Sequence, residues 1–178
     1  MFIDLHTHST FSDGLLSPSE LIAASKQIED KYSVILAMTD HDTLLGLPEF
    51  LKEAKHQGIM GISGLELSVN YEHPVNRREE NVHILCYGID RGSGEFKRFL
   101  GNLVKMRKLR CETIVKKFNA LNLNVKLSID DVFEKVSVSC GRPHVAMLLM
   151  EKGVVKSIEE AFERFLDIGR PCYVPKQT

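Results

Sequence analysis

The sequence predicts an α/β fold over residues 1–91, followed by an all-helical block. In the first part, short apolar runs alternate with amphipathic stretches of helical period, in the order β-α-β-α-β-β. Polar residues lie at or near the C-terminal ends of several predicted strands, where α/β barrels place their active sites. The helical block has no comparable strand candidates. These observations predict a barrel-like sheet with a helical addition.

Length and composition indicate an ordinary globular protein. A chain of 178 residues can bury one core, so we expect a single domain with an insertion. A hydrophobic content of 43% is typical, and a net charge of -1 gives no general attraction to nucleic acid or membrane. The four cysteines include no Cys-x-x-Cys pair, so we expect reduced thiols without a zinc ribbon or disulfide framework. Lacking a signal peptide and any apolar run of about 20 residues, the chain is expected to be cytoplasmic.

The first predicted strand carries two histidines on one face. Phe2 to His8 alternates as a strand does, and His6 and His8 are two residues apart, so their imidazoles lie side by side. A turn at Ser12-Asp13-Gly14 can bring a carboxylate back towards these rings. Imidazole and carboxylate groups at a strand end are a common way to hold a divalent metal.

The next helix and strand follow from capping and apolar patterning. Ser17 is a predicted N-cap, and Glu20 completes a capping box. The apolar run from Ser33 to Met38 is typical of a strand covered on both faces. It ends in the polar sequence Thr39-Asp40-His41-Asp42-Thr43, which places His41 at a strand end.

A second helix is predicted at about Leu47 to Gln57, and Gly58 leads from it into another apolar strand. That strand ends in Gly64-Leu65-Glu66-Leu67-Ser68, which contains an acidic residue. We expect a polar loop from Asn70 to Asn81, followed by a strand over Val82 to Ile89 that contains His83.

The helical block contains four predicted helices, each marked by a capping signal or a helical period. They are a long helix from Glu95 to Asn122, a short one after Ser128 with Asp131 in the reciprocal capping position, one from Pro143 closed by Gly153, and one from Ser157 to near Gly169. We interpret the block as an insertion or cap.

The predicted organisation is therefore a barrel part at 1–91, a helical insertion at 92–170 and a final segment at 171–178. The stretch from Pro171 to Pro175 is similar to a chain returning towards a sheet. A parallel barrel needs more strands than four or five, so either the domain is open and small or the native protein continues. We favour the second explanation.

Six potential metal ligands come from separate predicted strand ends: His6, His8, Asp13, His41, Glu66 and His83. Each one alone has a structural explanation, such as a turn, an exposed strand residue or a hydrogen-bonded core histidine. Together they favour a metal site, because a buried carboxylate without a compensating cation is costly.

Four motifs resemble the PHP (polymerase and histidinol phosphatase) family of metal-dependent phosphoesterases. They are Asp4-Leu5-His6-Thr7-His8-Ser9 with Asp13-Gly14, Thr39-Asp40-His41-Asp42-Thr43, Gly64-Leu65-Glu66-Leu67-Ser68, and His83-Ile84-Leu85-x-Tyr87-Gly88-Ile89-Asp90. The helical block is similar to one branch, through Gly141-Arg142-Pro143-His144 and Gly169-Arg170-Pro171-x-Tyr173-Val174-Pro175. That branch includes phosphatases of nucleoside monophosphates or 3′,5′-bisphosphates and 5′-to-3′ exonucleases of short RNA.

The resemblance implies a distorted β/α barrel, here incomplete at its C-terminus, with two or three divalent metal ions (zinc, manganese or iron). His6 and His8 would bind one metal, His83 a second, and Glu66 would bridge two. Asp13 and His41 would serve the third. The aspartates beside His41 would orient it or nearby loops. The family completes its site with a later Ala-His-Pro stretch and a terminal Asp-x-His, which this sequence lacks, so the visible ligand set is partial.

Four residues of the helical block are predicted to contact substrate phosphate. Arg107 and Arg110 are three apart on one helix face and could hold a phosphate together. Arg142 and His144 lie at a predicted helix start, which is a natural anion site. For most of the lysines of the long helix between Glu95 and Lys117, the better explanation is a solvated basic helix face. Lys176 is a weaker candidate.

The predicted function is hydrolysis of phosphate esters of nucleotides or of short RNA or DNA by metal-activated hydroxide. The chain has no Gly-x-Ser-x-Gly motif, which would indicate a serine nucleophile, and no P-loop, which would indicate binding of nucleotide phosphates by a glycine-rich loop. Two alternatives remain open at this point: a histidinol-phosphate phosphatase, and a non-catalytic PHP-like module that binds nucleic acid or another partner. No membrane partner is expected, and the sequence does not indicate an oligomeric state.

Overall fold

Four strands and six helices form among the residues that the computed structural model describes, which are 1–29, 33–72, 74–75, 77, 79–89, 93–136 and 138–176. In chain order they are β1 (Phe2–Thr7), α1 (Pro18–Glu29), β2 (Val34–Met38), α2 (Leu47–Gln57), β3 (Met60–Glu72), β4 (Glu79–Tyr87), α3 (Gly94–Ala120), α4 (Ile129–Phe133), α5 (Arg142–Glu151) and α6 (Ile158–Ala161). A π-helical turn, Phe162–Leu166, continues α6. The predicted order of the first six elements is confirmed.

The strands form one curled sheet in the order β1-β2-β3-β4. The first three strands are parallel, and β4 pairs with β3 in the antiparallel sense. The hydroxyl of Tyr87 at the end of β4 donates a hydrogen bond of 2.8 Å to the carbonyl of Leu5 in β1. Because this contact joins the two outer strands, the sheet curls into part of a barrel. The predicted α/β class with an incomplete, distorted barrel is confirmed.

Local sequence signals account for α1 and α2. In α1, Glu20 N–H donates to Ser17 Oγ at 3.2 Å while Ser17 N–H donates to the Glu20 carboxylate at 2.8 Å, which is the predicted capping box. The observed bounds of α2 match the prediction. Gly58 ends this helix with a φ of 75°, a left-handed conformation that glycine adopts without steric cost.

The predicted loop from Asn70 to Asn81 is wrong at both ends. β3 continues to Glu72 and β4 starts at Glu79, with Asn70 paired to Asn81 in the antiparallel register. The strand ends are polar because this part of the ribbon is exposed, and an exposed strand has the composition of a loop. Asp90 of the last motif and the predicted boundary at 91–92 lie outside the described residues.

The helical block has the predicted number of helices, with different ends. α3 begins one residue earlier than predicted, after the N-cap Ser93, and ends at Ala120. In α4, Ser128 Oγ accepts from Asp130 N–H at 3.2 Å, and no described hydrogen bond places Asp131 in the reciprocal position. The helix predicted from Ser157 ends at the π-helical turn instead of near residue 169.

Two main cores stabilise the structure. One lies between the sheet and the helices α1 and α2, where Ile22, Leu36, Met38 and Phe50 are buried. The larger core belongs to the helical block and buries apolar residues from Cys111 to Cys172. A small cluster joins the two regions, because Leu65 of β3 packs with Leu100 and Leu103 of α3. This cluster holds α3 against β3, the strand that carries Glu66.

Residues 171–176 form no strand in this structure. Cys172 is buried in the helical core, and the carbonyls of Tyr173 and Val174 accept hydrogen bonds from side chains of α3. The segment reaches the sheet at Lys176, whose carbonyl accepts from Asn70 Nδ2 at 3.2 Å.

The expectation of four reduced cysteines is wrong for one pair. Cys111 of α3 and Cys140 are joined by a disulfide bond across the helical core, whereas Cys86 and Cys172 are free. The two bonded residues are 29 positions apart, so their approach depends on how the helices pack. Within the described part of the chain, no helix is both long and apolar enough to span a lipid bilayer.

Candidate metal centre

Strand pairing brings the predicted ligands to one end of the sheet. His41 follows β2 and forms an isolated parallel bridge with Glu66 of β3. His83 of β4 lies opposite Ser68, which is on the same face as Glu66, so His83 is the diagonal neighbour of that carboxylate. The histidines of β1 lie at the other side of the same end, since β1 and β2 are parallel.

Glu66 lies at the centre of four imidazoles. Its Oε2 is 2.8 Å from His6 Nε2, 3.1 Å from His8 Nε2 and 3.6 Å from His41 Nδ1. Its Oε1 contacts Nδ1 of His83. One carboxylate oxygen therefore faces three imidazoles and the other faces the fourth, an arrangement of donors that suits binding of a divalent cation.

Asp13 provides a second carboxylate on the far side of two of these rings. Its Oδ1 is 3.5 Å from His8 Nδ1, and its Oδ2 is 3.4 Å from His41 Nε2. The turn that carries it passes so close to β1 that a Cβ at Gly14 would overlap the carbonyl of His8. Glycine at this position therefore allows the carboxylate to approach the histidines.

The six predicted ligands form three groups that could each hold a divalent cation: His6, His8 and Glu66; His8, Asp13 and His41; and His41, Glu66 and His83. The ligand atoms of each group lie within 4.8 Å of one another. Imidazole nitrogens suit zinc and iron, and carboxylate oxygens suit manganese, so the mixed donor set is compatible with each of these divalent ions.

One buried atom indicates that the residues fit a metal. Nδ1 of His41 is buried and has no hydrogen-bond partner among the described residues. An unpaired buried ring nitrogen costs free energy unless a cation or another group engages it. Because Oε2 of Glu66 lies 3.6 Å away, a metal could contact both atoms.

The protonation states favour metal binding. Burial lowers the pKa of His8, and burial together with the nearby Lys176 charge lowers the pKa of His83. Burial alone would raise the pKa of Glu66, but the hydrogen bond from His6 and the charge of His41 lower it below its usual value. The same balance lowers the pKa of Asp13, with His41 as the main partner. Neutral imidazoles and ionised carboxylates are the forms that bind metals.

Asp40 fixes the loop that carries His8 and Asp13. This buried carboxylate accepts hydrogen bonds from the backbone N–H of Ser9 at 2.7 Å, from Ser9 Oγ at 2.6 Å and from Ser12 Oγ at 2.6 Å. Ser12 Oγ also lies 3.3 Å from His8 Nδ1. The two serines are supporting residues that the sequence analysis did not identify, although they flank the predicted ligands.

Asp42 connects the centre to α3. One oxygen of this buried carboxylate accepts from Ser68 N–H at 2.8 Å, and the other accepts from Arg107 Nε at 2.5 Å. The remaining guanidinium nitrogens of Arg107 donate to Ser68 Oγ at 2.8 Å and to the carbonyl of Cys140 at 3.5 Å. Each guanidinium nitrogen of Arg107 thus has a protein partner, and the side chain also lines the cleft beside the ligands, so its role as a phosphate contact stays a prediction.

Beside the ligands lies a cleft of about 150 Å³, whose wall includes Asp13, His41 and His83. Arg110, Arg142 and Lys176 also line it. Burial and the neighbouring Arg142 lower the pKa of Arg110 to about 10, and burial with the charges of Arg107 and Arg110 lowers the pKa of Lys176 to about 8. Mutual repulsion of these cations makes the cleft favourable for an anion.

His144 has a different environment from the one predicted. Its side chain is buried, with Nδ1 accepting from Gly141 N–H at 3.0 Å and Nε2 donating to the carbonyl of Ser12 at 2.8 Å. Both ring nitrogens are therefore engaged, and the ring ties the start of α5 to the loop before Asp13. The ring also lines the cleft beside the ligands, and its role as a phosphate contact stays a prediction.

Lys176 is closer to the centre than the sequence indicated. Its Nζ lies 2.6 Å from His83 Nε2 and 3.3 Å from Ser68 Oγ. No motif in the sequence ties a lysine near position 176 to a histidine on β4, because the connection depends on how the last segment crosses α3.

Comparison with known proteins gives consistent matches over nearly all of the chain. The model of the PHP domain family matches residues 4–171. A 5′-3′ exoribonuclease of Haemophilus influenzae is 31% identical over 96% of this chain and 58% of its own length. A 3′,5′-nucleoside bisphosphate phosphatase of Chromobacterium violaceum is 31% identical over 98% of this chain and 58% of its own length.

A solved structure has the same fold. The solved structure of an amidohydrolase from Chromobacterium violaceum, which contains bound sulfate and no metal, superimposes with a TM-score of 0.85 at 31% identity. The match covers 99% of this chain and 59% of that one. The chain thus spans a little over half the length of the relatives it matches.

Proposed function

Because the chain belongs to the PHP domain family, we propose that it hydrolyses phosphate esters of nucleotides or short oligonucleotides with the help of bound divalent cations. One observation carries this proposal: both oxygens of Glu66 face imidazoles that come from four different places in the sheet. The fold does not require four histidines around one carboxylate, whereas metal coordination does require several nitrogen and oxygen ligands close together.

The proposed ligands are the six residues gathered at the end of the sheet: His6, His8, Asp13, His41, Glu66 and His83. Glu66 would bridge two cations, and a third would be served by Asp13 and His41. When bound, two or three cations supply a nucleophilic hydroxide at neutral pH and neutralise the phosphoryl oxygens. Asp40 keeps the His8 loop in place, so that the ligands are positioned before a cation arrives.

The cationic cleft is the proposed site of the substrate phosphate. Arg110 Nε donates to the carbonyl of Val174, and its two terminal nitrogens, which have no hydrogen-bond partner among the described residues, would bind phosphate oxygens. Lys176 lies between this cleft and His83 and can neutralise charge next to the ligands. Arg107 positions Asp42 and Ser68.

The substrate class is proposed from the similar proteins, one named as an exoribonuclease and one as a nucleoside bisphosphate phosphatase. A nucleotide ester fits the cleft, because a phosphate group suits its arginines and lysine. The division into a barrel part at 1–91, a helical insertion at 92–170 and a final segment at 171–178 remains our proposal. In it, the insertion supplies Arg110 and Arg142 to the cleft.

The proposal is tested by measuring metal content and phosphate release on one preparation. Elemental analysis of the purified chain, and phosphate release from a panel of nucleotides with added manganese, should both be positive. Histidinol phosphate should be included in the same panel. Faster turnover of that ester than of any nucleotide would identify histidinol phosphate as the substrate. Metal binding without turnover of any phosphate ester would indicate a non-catalytic module.

A further inference from the structure

A second cavity, of about 750 Å³, lies between the start of α2 and the first half of α3. Its volume is within the range of about 300–1,000 Å³ that is usual for small-molecule sites, which are concave and mostly apolar. The aliphatic part of its wall consists of Leu44, Leu45, Pro48, Leu100, Val104 and Val138. None of the residues that line this cavity is a proposed metal ligand, so it is a separate site from the metal centre.

Contacts within the protein keep the walls of this cavity in place. The backbone N–H of Leu45 donates a hydrogen bond of 3.2 Å to Oγ1 of Thr43, which fixes the loop before α2. Leu44 packs against the apolar cluster that contains Leu100, so the α2 side and the α3 side are held together. A ligand therefore does not have to order these walls when it binds.

Gly101 opens the cavity from the side of α3. Glycine inside a helix is destabilising relative to alanine, and a Cβ at this position would meet no atom within 4 Å. No contact within the protein thus requires glycine here. Lys97 and Lys105 lie four residues before and after it, so the three form one row on the helix surface, and all three line the cavity. The glycine leaves free space between two ammonium groups.

The two lysines give the cavity a positive rim. Both are exposed, and neither forms an ion pair with any described residue. Among the lining residues that the structure describes, Asp42 is the one carboxylate, and its side chain is 2% exposed and paired with Arg107. An anionic group at this rim would therefore meet two ammonium groups without competition from a free carboxylate.

We propose that this cavity binds a small aliphatic carboxylate. Its hydrocarbon chain lies against the leucines and valines, where burial of apolar surface stabilises the complex, and its carboxylate lies at the lysine rim. A nucleobase is a poorer occupant, because bases stack on aromatic rings and no aromatic residue is among the described residues that line the cavity. The site takes no part in the proposed hydrolysis.

Isothermal titration of the whole chain with decanoate, below the concentration at which it forms micelles, tests the site. We expect one molecule to bind per chain, and acetate, which lacks the hydrocarbon chain, to show no binding. The double variant Lys97→Met with Lys105→Met should bind decanoate at least tenfold more weakly. Its matched control is Lys52→Met with Lys116→Met, which removes the same charge from α2 and α3 outside the cavity.

Gly101→Leu tests the free space in the cavity without loss of stability. Because leucine favours a helix more than glycine does, this variant should unfold at the same temperature as the wild type or higher. Its side chain fills the cavity, so decanoate should bind at least tenfold more weakly. Asn102→Leu is the matched control, because this exposed neighbour does not line the cavity, and it should bind decanoate as the wild type does.

Three results would overturn the proposal. They are wild-type affinity in Gly101→Leu, equal losses in a test variant and its control, and binding of adenosine that is tighter than binding of decanoate and is lost in Gly101→Leu. Phosphate release by the same preparation reports on the metal centre alone. A protein that binds decanoate in the cavity and hydrolyses no ester would contradict the proposed function and still support this site.

Discussion

Nζ of Lys176 lies 2.6 Å from Nε2 of His83, so an ammonium group approaches the residues proposed to hold metal. Lys176→Met should increase metal affinity by about three- to tenfold, because a nearby positive charge repels the cation. The same substitution should raise the KM for a phosphate ester. Metal titration and steady-state kinetics measure the two effects.

Lys117→Met is the matched control for that prediction. Lys117 also holds the last segment, through a hydrogen bond of 2.7 Å to the carbonyl of Tyr173, but it does not contact the proposed ligands. Equal changes in both variants would show that the effect comes from loosening the segment and not from the charge beside His83.

His8→Ala should abolish metal-dependent hydrolysis and leave the fold largely intact. His8 belongs to two of the three ligand groups, so its loss should reduce turnover at least 100-fold. Elemental analysis should show less bound metal, and circular dichroism should be unchanged. His56→Ala, on the exposed side of α2, is the control. If His8→Ala retained its turnover, the proposal that these ligands form the catalytic metal centre would be wrong.

Arg107→Met should destabilise the protein by about 3 kcal/mol or more, because it leaves the buried carboxylate of Asp42 without its cation. Chemical denaturation measures the loss. The double variant Arg107→Met with Asp42→Asn should recover part of it, since no unpaired charge is then buried. If Arg107→Met is as stable as the wild type, the ion pair between Arg107 and Asp42 does not stabilise the folded state.

Arg110→Ala should weaken substrate binding without changing metal content. The terminal nitrogens of Arg110 have no described hydrogen-bond partner, so their loss should appear as a KM increase of about tenfold or more. The control is Arg98→Ala, an exposed arginine of the same helix. Kinetics identical to the wild type would exclude Arg110 from the substrate site.

Elements whose positions depend on neighbouring residues in the sequence were predicted correctly. The capping box at Ser17 and the period of α2 depend on neighbours in the sequence, so their positions followed directly. The gathering of His41, Glu66 and His83 followed from a simple rule, because residues at one end of adjacent strands must lie close together.

Features that depend on long-range packing could not be predicted. Arg107 and Arg110 share a helix face. Arg107 forms an ion pair with Asp42 only because the fold brings that residue close, from 65 positions away in the sequence. The disulfide between Cys111 and Cys140 depends in the same way on the helical core. The extension of β3 to Glu72 was missed because exposed strand ends carry loop-like residues.

The stability of the metal-free protein should fall as the pH drops below 6.5, and His144 should contribute to this loss. Burial lowers the pKa of His144 in the folded state, and protonation of Nδ1 would break the hydrogen bond from Gly141. Between 6.5 and that lower pKa, the unfolded chain binds a proton that the folded chain does not. Stability therefore rises with pH across this window.

Denaturation at a series of pH values from about 5 to 8 measures this dependence, since carboxylates titrate mainly below that range. His144→Gln should flatten the curve, whereas His56→Gln, which changes an exposed histidine, should not. His8 and His83 also have lowered pKa values and contribute with the same sign, so some slope should remain. An unchanged slope in His144→Gln would mean that the buried ring does not control acid stability, because its proton uptake would then be equal in both states.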